Sequence, residues 1–352
     1  MAIDLLPHLK QMLSAPGLSG YEDPIRDIVR AAWQPLCDEI SVSRVGSLHA
    51  LKRGDGPEPR PRVMLSAHMD AIGLMVTGIK EGFLRFTQIG GIDPRILPGQ
   101  MVTVHGRKDL PGMVVLPPTH LLPPEAGSGV AALQYLLIDT GLLAEEVDKL
   151  VRVGDVVSFA QEPIELGESA LAGHTLDNRV SVAAVTHCLD ILSRRKHAWD
   201  VWAVASSQEE TGVTGAFTSP VDIQPDFAIA IDVTFAKSTS SGDWRTFPMG
   251  EGVTLAWGPN IHPALYAAII RTADELDIPY SREAAPSMTG TDAYAIQVVQ
   301  SGIPCLLIGI PLRYMHTPVE TVSLKDVRRA GRLMAEFISA LPQDFMQTLE
   351  WK

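Results

Sequence analysis

A chain of 352 residues, 46% of them hydrophobic, is long enough to bury one large core or two ordinary ones. Its formal net charge of -12 argues against a general binder of nucleic acid or anionic membrane, which needs a positive field to meet phosphate. Three cysteines, Cys37, Cys188 and Cys305, lie far apart with no Cys-x-x-Cys spacing, which argues against a disulfide framework or thiolate zinc site and fits a reducing cytoplasm.

The N-terminus, from Met1 to Pro7, lacks a basic segment followed by an apolar one, and no uninterrupted apolar run approaches the ~20 residues that span a bilayer. The expectation is a soluble, unexported protein. Helical spacing of apolar residues predicts a helix from Asp4 to Leu13 and another from Asp23 to Trp33, the second started by Pro24. A hairpin across Ser41 to Lys52 leads to the apolar run Val63-Met64-Leu65-Ser66-Ala67, a buried strand that ends in His68-Met69-Asp70.

From about Ile72 to Leu166 short alternating runs, such as Met101-Val102-Thr103-Val104-His105, are separated by Gly, Pro and Asp turns. This predicts a small β-rich domain, 72–166, inserted into an α/β unit made of 1–71 and 167–352. Within it a loop is expected from Pro117 to about Gly129 and a short helix from Leu142 to Leu150. After Leu176-Asp177-Asn178-Arg179 a helix runs from about Val180 to Ser193, then a buried strand, Val201 to Ala205, reaches Ser206-Ser207-Gln208-Glu209-Glu210-Thr211-Gly212.

Strand Phe227 to Ile231 ends at Asp232, and helix Ala264 to Leu276 leads on to Thr289-Gly290-Thr291-Asp292 and a helical stretch to about Gln300. A last core strand, Cys305 to Ile310, precedes Tyr314-Met315-His316, and the closing helix covers about Leu324 to Leu341. The fold class is therefore α/β, a mixed and largely parallel sheet flanked by helices, with the β-rich insert.

The Glu209-Glu210 pair taken alone is as well explained by a solvated acidic turn, a lone His by a surface or core position, and Asp177 by a pairing with Arg179. Their common placement says more. Core strands terminate at His68, Glu209-Glu210 and Asp232, a fourth enters the loop of His316, and Asp177 sits at a helix mouth. In open α/β sheets ligands bind beyond the carboxyl ends of the strands, so the five can converge. Imidazoles and carboxylates without thiolate are the ligand chemistry of a catalytic zinc, cobalt or manganese site, and five ligands serve two ions if one carboxylate bridges. On an extended strand end successive side chains point opposite ways, so one Glu can bind metal while its neighbour reaches a water.

Six ordered segments, Ser66-Ala67-His68-Met69-Asp70, Leu176-Asp177-Asn178-Arg179, Gln208-Glu209-Glu210-Thr211-Gly212, Ala230-Ile231-Asp232-Val233-Thr234, Gly290-Thr291-Asp292-Ala293 and Tyr314-Met315-His316-Thr317-Pro318, resemble the M42 aminopeptidases. Pro117-Pro118-Thr119-His120-Leu121-Leu122 resembles a further family segment. The resemblance implies cobalt- or zinc-dependent release of N-terminal residues and assembly into tetrahedral dodecamers. It also implies that Asp177 bridges two ions, His68 and Asp232 complete one site, and Glu210 and His316 the other. Glu209 would be general base, and Asp70 the carboxylate that orients His68, a role ligating histidines need filled. Ala71 and Asn178 stand where many relatives carry Glu and Asp, and neither is a ligand.

The expected partners are short peptides and further copies of the chain. The runner-up is a glycoside hydrolase, an endoglucanase label some of the family have carried, which would leave both histidines unexplained. Another class is an inactive relative that binds peptides or serves assembly.

Overall fold

The computed structural model describes residues 3–123, 129–239 and 242–351. Helices α1 (Leu5–Leu13) and α2 (Asp23–Trp33) open the chain, followed by strands β1 (Glu39–Val42), β2 (Leu48–Lys52) and β3 (Arg62–His68). Next come β4 (Gly73–Lys80), β5 (Phe83–Ile89), β6 (Met101–His105), β7 (Asp109–Val115), β8 (Leu137–Asp139), helix α3 (Ala144–Leu150) and β9 (Val156–Phe159). The chain then returns through β10 (Ile164–Leu166), β11 (Ala170–Gly173), α4 (Leu176–Leu192), β12 (Asp200–Ser206), α5 (Glu209–Gly212), α6 (Thr214–Ile223) and β13 (Phe227–Phe235). It closes with β14 (Val253–Trp257), α7 (Pro263–Glu275), β15 (Tyr280–Ala284), α8 (Asp292–Gln297), β16 (Cys305–Arg313), β17 (Glu320–Ser323) and α9 (Leu324–Ala340).

An eleven-stranded mixed sheet runs β1-β2-β12-β3-β13-β16-β17-β11-β10, with β14 on β16 and β15 on β14. Its centre, β12-β3-β13-β16, is parallel throughout, and antiparallel strands finish the flanks. The central strands are nearly continuous apolar runs because both faces are covered by helices. Period-two alternation sends Val63, Leu65, Val201, Ala203, Phe227 and Ile229 to one core and Met64, Val204 and Ala228 to a smaller one, which α6 and α8 cover.

Helix α4 lies over the larger core and is buried almost all round, as an apolar helix between two layers must be. Helix α9 packs across it at Gly331, where a Cβ would stand 2.6 Å from the Ala184 carbonyl oxygen. The face that carries Met64 also carries Ser66 and His68 on β3, because these positions alternate with Leu65 and Ala67.

Strands β4-β5-β8-β7-β6-β9 close into a separate barrel with its own core of Leu74, Val76, Leu84, Val102, Val104, Val114, Ile138 and Val157. The mixed α/β sheet and the β-rich insert agree with the sequence reading. The loop expected from Pro117 to Gly129 lies partly outside the described residues, and a short 3-10 turn occupies Thr119–Leu121.

Helix α4 opens with non-helical backbone at Asp177 and Asn178, so its regular part starts close to the expected Val180. Two details differ. Strand β13 runs past Asp232 to Phe235. Glu209 and Glu210 belong to the single helical turn α5, not to an extended strand end.

Candidate metal centre

His68 is the last residue of β3 and pairs in register with Ser206 at the end of β12, so the α5 turn emerges beside it. Gln208 takes a left-handed φ of +56°, which turns the chain from strand into helix. Neighbours on a helix diverge by about 100°. The two carboxylates therefore still part: Glu209 Oε2 lies 3.7 Å from His68 Nε2, and Glu210 Oε2 lies 3.5 Å from His316 Nε2. The separation expected of an extended pair is achieved by a helical one.

Asp177 stands between the imidazoles, with Oδ1 3.3 Å from His68 Nε2 and Oδ2 3.4 Å from His316 Nε2. Asp232 Oδ1 is 3.8 Å from His68 Nε2, the same range as Glu209. All five expected ligands and Glu209 thus meet in one place. Two groupings, His68-Glu209-Asp232 and His68-Asp177-Glu210, hold ligand atoms within 4.8 Å of one another.

Four carboxylates are gathered here with no lysine or arginine ion-paired to any of them among the described residues. Arg179 does not pair with Asp177. It donates to the carbonyl oxygens of Met12, Ala15, Gly17 and Met69, and so ties the His68-Met69-Asp70 turn to the start of the chain. Burial, followed by the charge of Asp177, pushes Glu210 well above the carboxylate range, and burial with the charge of Asp177 among its neighbours does the same to Asp232. Burial also raises Glu209 to about 7, against the opposing pull of His68. Burial would lower His68, yet Glu209, Asp177, Asp70 and Asp232 around it hold it well above an ordinary imidazole. Such a cage is in want of cations, and its oxygen and imidazole donors fit a borderline or hard divalent metal.

Asp70 is fully buried, but its carboxylate does more than face an imidazole. Its two oxygens accept the backbone N–H groups of Glu209 at 3.0 Å and Glu210 at 3.1 Å. His68 Nδ1 lies 3.3 Å from the Asp70 carbonyl oxygen and 3.4 Å from its Oδ1. Two further acids, absent from the sequence reading, act on backbone in the same way. Glu320 accepts the N–H of Asp177 and of His316, both at 2.9 Å, and Glu22 accepts those of Gly20 and Gln208. The one sequence clue to Glu320 is its position four residues beyond His316; as a lone acid it carries no ligand spacing.

Asp292, from the Gly-Thr-Asp segment, is buried beneath the site and accepts the hydroxyls of Ser66 and Ser206 at 2.7 and 2.6 Å. Thr175, Gln208, Val213, Tyr314 and His316 all take positive φ around the cage, backbone that costs ~1–3 kcal/mol at each such residue and concentrates at functional sites. A cavity of about 860 Å³ opens over the ligands, lined also by Trp244, Glu283, Met288, Tyr294 and Met315.

A sequence profile of the family described as M42 glutamyl aminopeptidase matches residues 46–333. The chain belongs to the M42 family. It is 35% identical over 344 residues to a lysyl aminopeptidase of Pyrococcus furiosus, a match covering 96% of this chain and 98% of that one. Its fold is similar to that of a TET aminopeptidase from a marine sediment Thaumarchaeota archaeon, with a TM-score of 0.92, 27% identity, and coverage of 98% and 99% of the two chains. It is also similar to Pyrococcus horikoshii TET1 peptidase, with a TM-score of 0.84, 29% identity, and coverage of 96% and 100%. Membership makes the protein an aminopeptidase, a hydrolase of peptide bonds, and sets aside the glycoside-hydrolase alternative. M42 enzymes are metal-dependent, and the histidine and carboxylate cage could hold a metal.

Proposed function

We propose that the protein removes N-terminal residues from short peptides at a site holding two divalent cations, with Glu209 as general base. The observation that carries this reading is the division of the Asp177 carboxylate, one oxygen toward each imidazole. His68 and Asp232 would complete one site, and Glu210 and His316 the other. Four ionised carboxylates carry a charge that two divalent cations balance. When bound, the cations supply Lewis acidity to the scissile carbonyl and lower the pKa of the attacking water. Zinc or cobalt suits the donors best, and manganese is compatible.

Glu209 is part-buried and within reach of the cage, which places it to take a proton and return it. Water oxygen bonds to the carbonyl carbon as Glu209 accepts its proton; the C–N bond then breaks as Glu209 delivers that proton to the leaving amine. Asp70 and Glu320 hold the ligand-bearing backbone and touch no substrate.

The catalytic unit is taken as 1–71 and 167–352, and the insert as 72–166. Pyrococcus horikoshii TET1 is described as able to assemble into a tetrahedron or a large octahedral shell. We assign this chain a homo-oligomer, a tetrahedral dodecamer, with contacts on the barrel, where Met101 and Met113 pair in register and are exposed. No helix of the described residues is long and apolar enough to cross a membrane, and all three cysteines are unbridged, which supports a cytoplasmic location.

The test is a panel of amino-acid anilides with zinc, cobalt or manganese restored to stripped protein, beside Glu209→Gln. Turnover that survives complete chelation, or that Glu209→Gln retains in full, would overturn the reading.

A further inference from the structure

The cavity over the cage contains one carboxylate that the hydrolytic chemistry leaves unused. Glu283 sits on β15, and its carboxylate reaches hydroxyls on β13 and on the neighbouring strand β14. Its Oε1 accepts the Thr234 hydroxyl at 2.9 Å and its Oε2 the Thr254 hydroxyl at 2.5 Å. Thr234 stands two residues beyond Asp232 on β13, on the same sheet face and about 6.6 Å along the strand. The carboxylate is thus tied to the strand that carries Asp232, in the wall of the same cavity.

No lysine, arginine or histidine pairs with Glu283 among the described residues. A carboxylate has about four lone-pair positions, and the two threonine hydroxyls fill two. The remaining acceptor capacity is kept open by Gly309, the register partner of Asp232 on β16. A Cβ there would stand 2.2 Å from Thr254 Oγ1 and 3.2 Å from Glu283 Oε2, so any side chain would displace or cap the carboxylate. Leu307, Ala285, Met288 and Met315 line the same cavity.

Apolar lining beside a carboxylate with no cationic partner suits a long aliphatic stem with a cationic tip.

We propose that Glu283 is the specificity residue for the substrate's N-terminal side chain, and that it selects lysine or arginine. This rests on the aminopeptidase reading of the site. Burial disfavours the charge on Glu283, and an incoming ammonium or guanidinium compensates it with a charge-assisted hydrogen bond. An acidic N-terminal residue meets repulsion from the same group. If the threonines alone use Glu283, the pocket has no reason to favour a cation.

The experiment compares kcat/KM for lysine, arginine, leucine and glutamate anilides in the metal-loaded protein and in Glu283→Gln. The native protein should favour lysine and arginine over leucine at least 10-fold, with glutamate poorest. In Glu283→Gln the lysine-to-leucine ratio should fall about 10- to 100-fold, the range for a hydrogen bond to a charged group. Retained leucine turnover shows that the variant is folded.

Binding of lysine amide and norleucine amide to metal-loaded Glu209→Gln reads recognition without hydrolysis. Lysine amide should bind at least 10-fold tighter, and adding Glu283→Gln should abolish the difference. Equal binding of the two amides, or a lysine-to-leucine ratio unmoved by Glu283→Gln, overturns the proposal. Loss of hydrolysis with the amide preference intact would instead count against the aminopeptidase reading alone.

Discussion

Asp70 and Glu320 stand in the same relation to the metal cage: each is buried, and each gives its two carboxylate oxygens to the backbone amides of two residues of the cage. Asp70 holds Glu209 and Glu210 side by side. Glu320 joins Asp177 to His316, residues far apart in sequence.

The amide variant at either position turns an NH₂ toward a backbone N–H and leaves that donor unpaired. Asp70→Asn and Glu320→Gln should each cost ~1–3 kcal/mol of stability and lower metal affinity or activity about 10- to 100-fold. Denaturant unfolding and metal titration read the two effects. Unchanged metal affinity in Glu320→Gln would mean that Asp177 and His316 are held by something else.

The sequence announced the ligands more clearly than what supports them. His68, Glu209, Glu210 and His316 end or follow buried strands, and strand ends are where side chains of an α/β sheet converge. The sequence reads Asp232 as a strand end although β13 continues to Phe235, because period two cannot say where a buried run stops. Glu320 and Glu22 each join a nearby amide to a distant one, Asp177 and Gln208, and Asp292 takes hydroxyls from two separate strands, and no spacing pattern encodes that. The helical turn at Glu209 depends on the left-handed Gln208, a residue with no glycine-like signal. Likewise, Glu283 is an isolated acid in a short strand, and only the fold brings Thr234 and Thr254 to it.

Replacing Glu209 should separate catalysis from assembly of the cage. Glu209→Gln keeps the side-chain volume and removes the proton acceptor, so kcat should fall about 10²- to 10⁴-fold, the range for general-base loss. Metal content measured by elemental analysis should remain at the native ratio. A proportional loss of metal would recast Glu209 as a ligand, which its 3.7 Å approach to His68 makes a concrete rival.

Metal removal should destabilise the fold as well as silence it. The carboxylates of the cage repel one another when ionised, and cations that bind only the folded state add ~2.7 kcal/mol at a hundred times their dissociation constant. Chelation at neutral pH should therefore lower Tm, and restored zinc or cobalt should recover it. Asp177→Ala, which lacks the central carboxylate, should show little of this response. A Tm indifferent to metal in the native chain would contradict a cage built to hold cations.

Acid should destabilise the protein through a group far from the cage. His8 on α1 is buried against α4, where the Thr186 hydroxyl donates to the Val182 carbonyl and accepts the Trp33 indole N–H at 2.8 Å. That hydroxyl has no proton left to give, so His8 donates through Nε2 across 3.3 Å, which in the neutral ring leaves Nδ1 unprotonated. Burial lowers its pKa from 6.5 to about 4. The unfolded chain therefore binds this proton first as pH falls: stability from His8 is complete above about 6.5 and is lost between 6.5 and 4, by at most ~3 kcal/mol. His8→Gln removes the titration. Denaturant unfolding at pH 7 and pH 4.5, in chelator so that metal ligation does not contribute, should show a smaller drop for the variant than for the native chain. Equal drops would place the proton on His8 at no cost, and the neutral, single-tautomer account of this helix contact would be wrong.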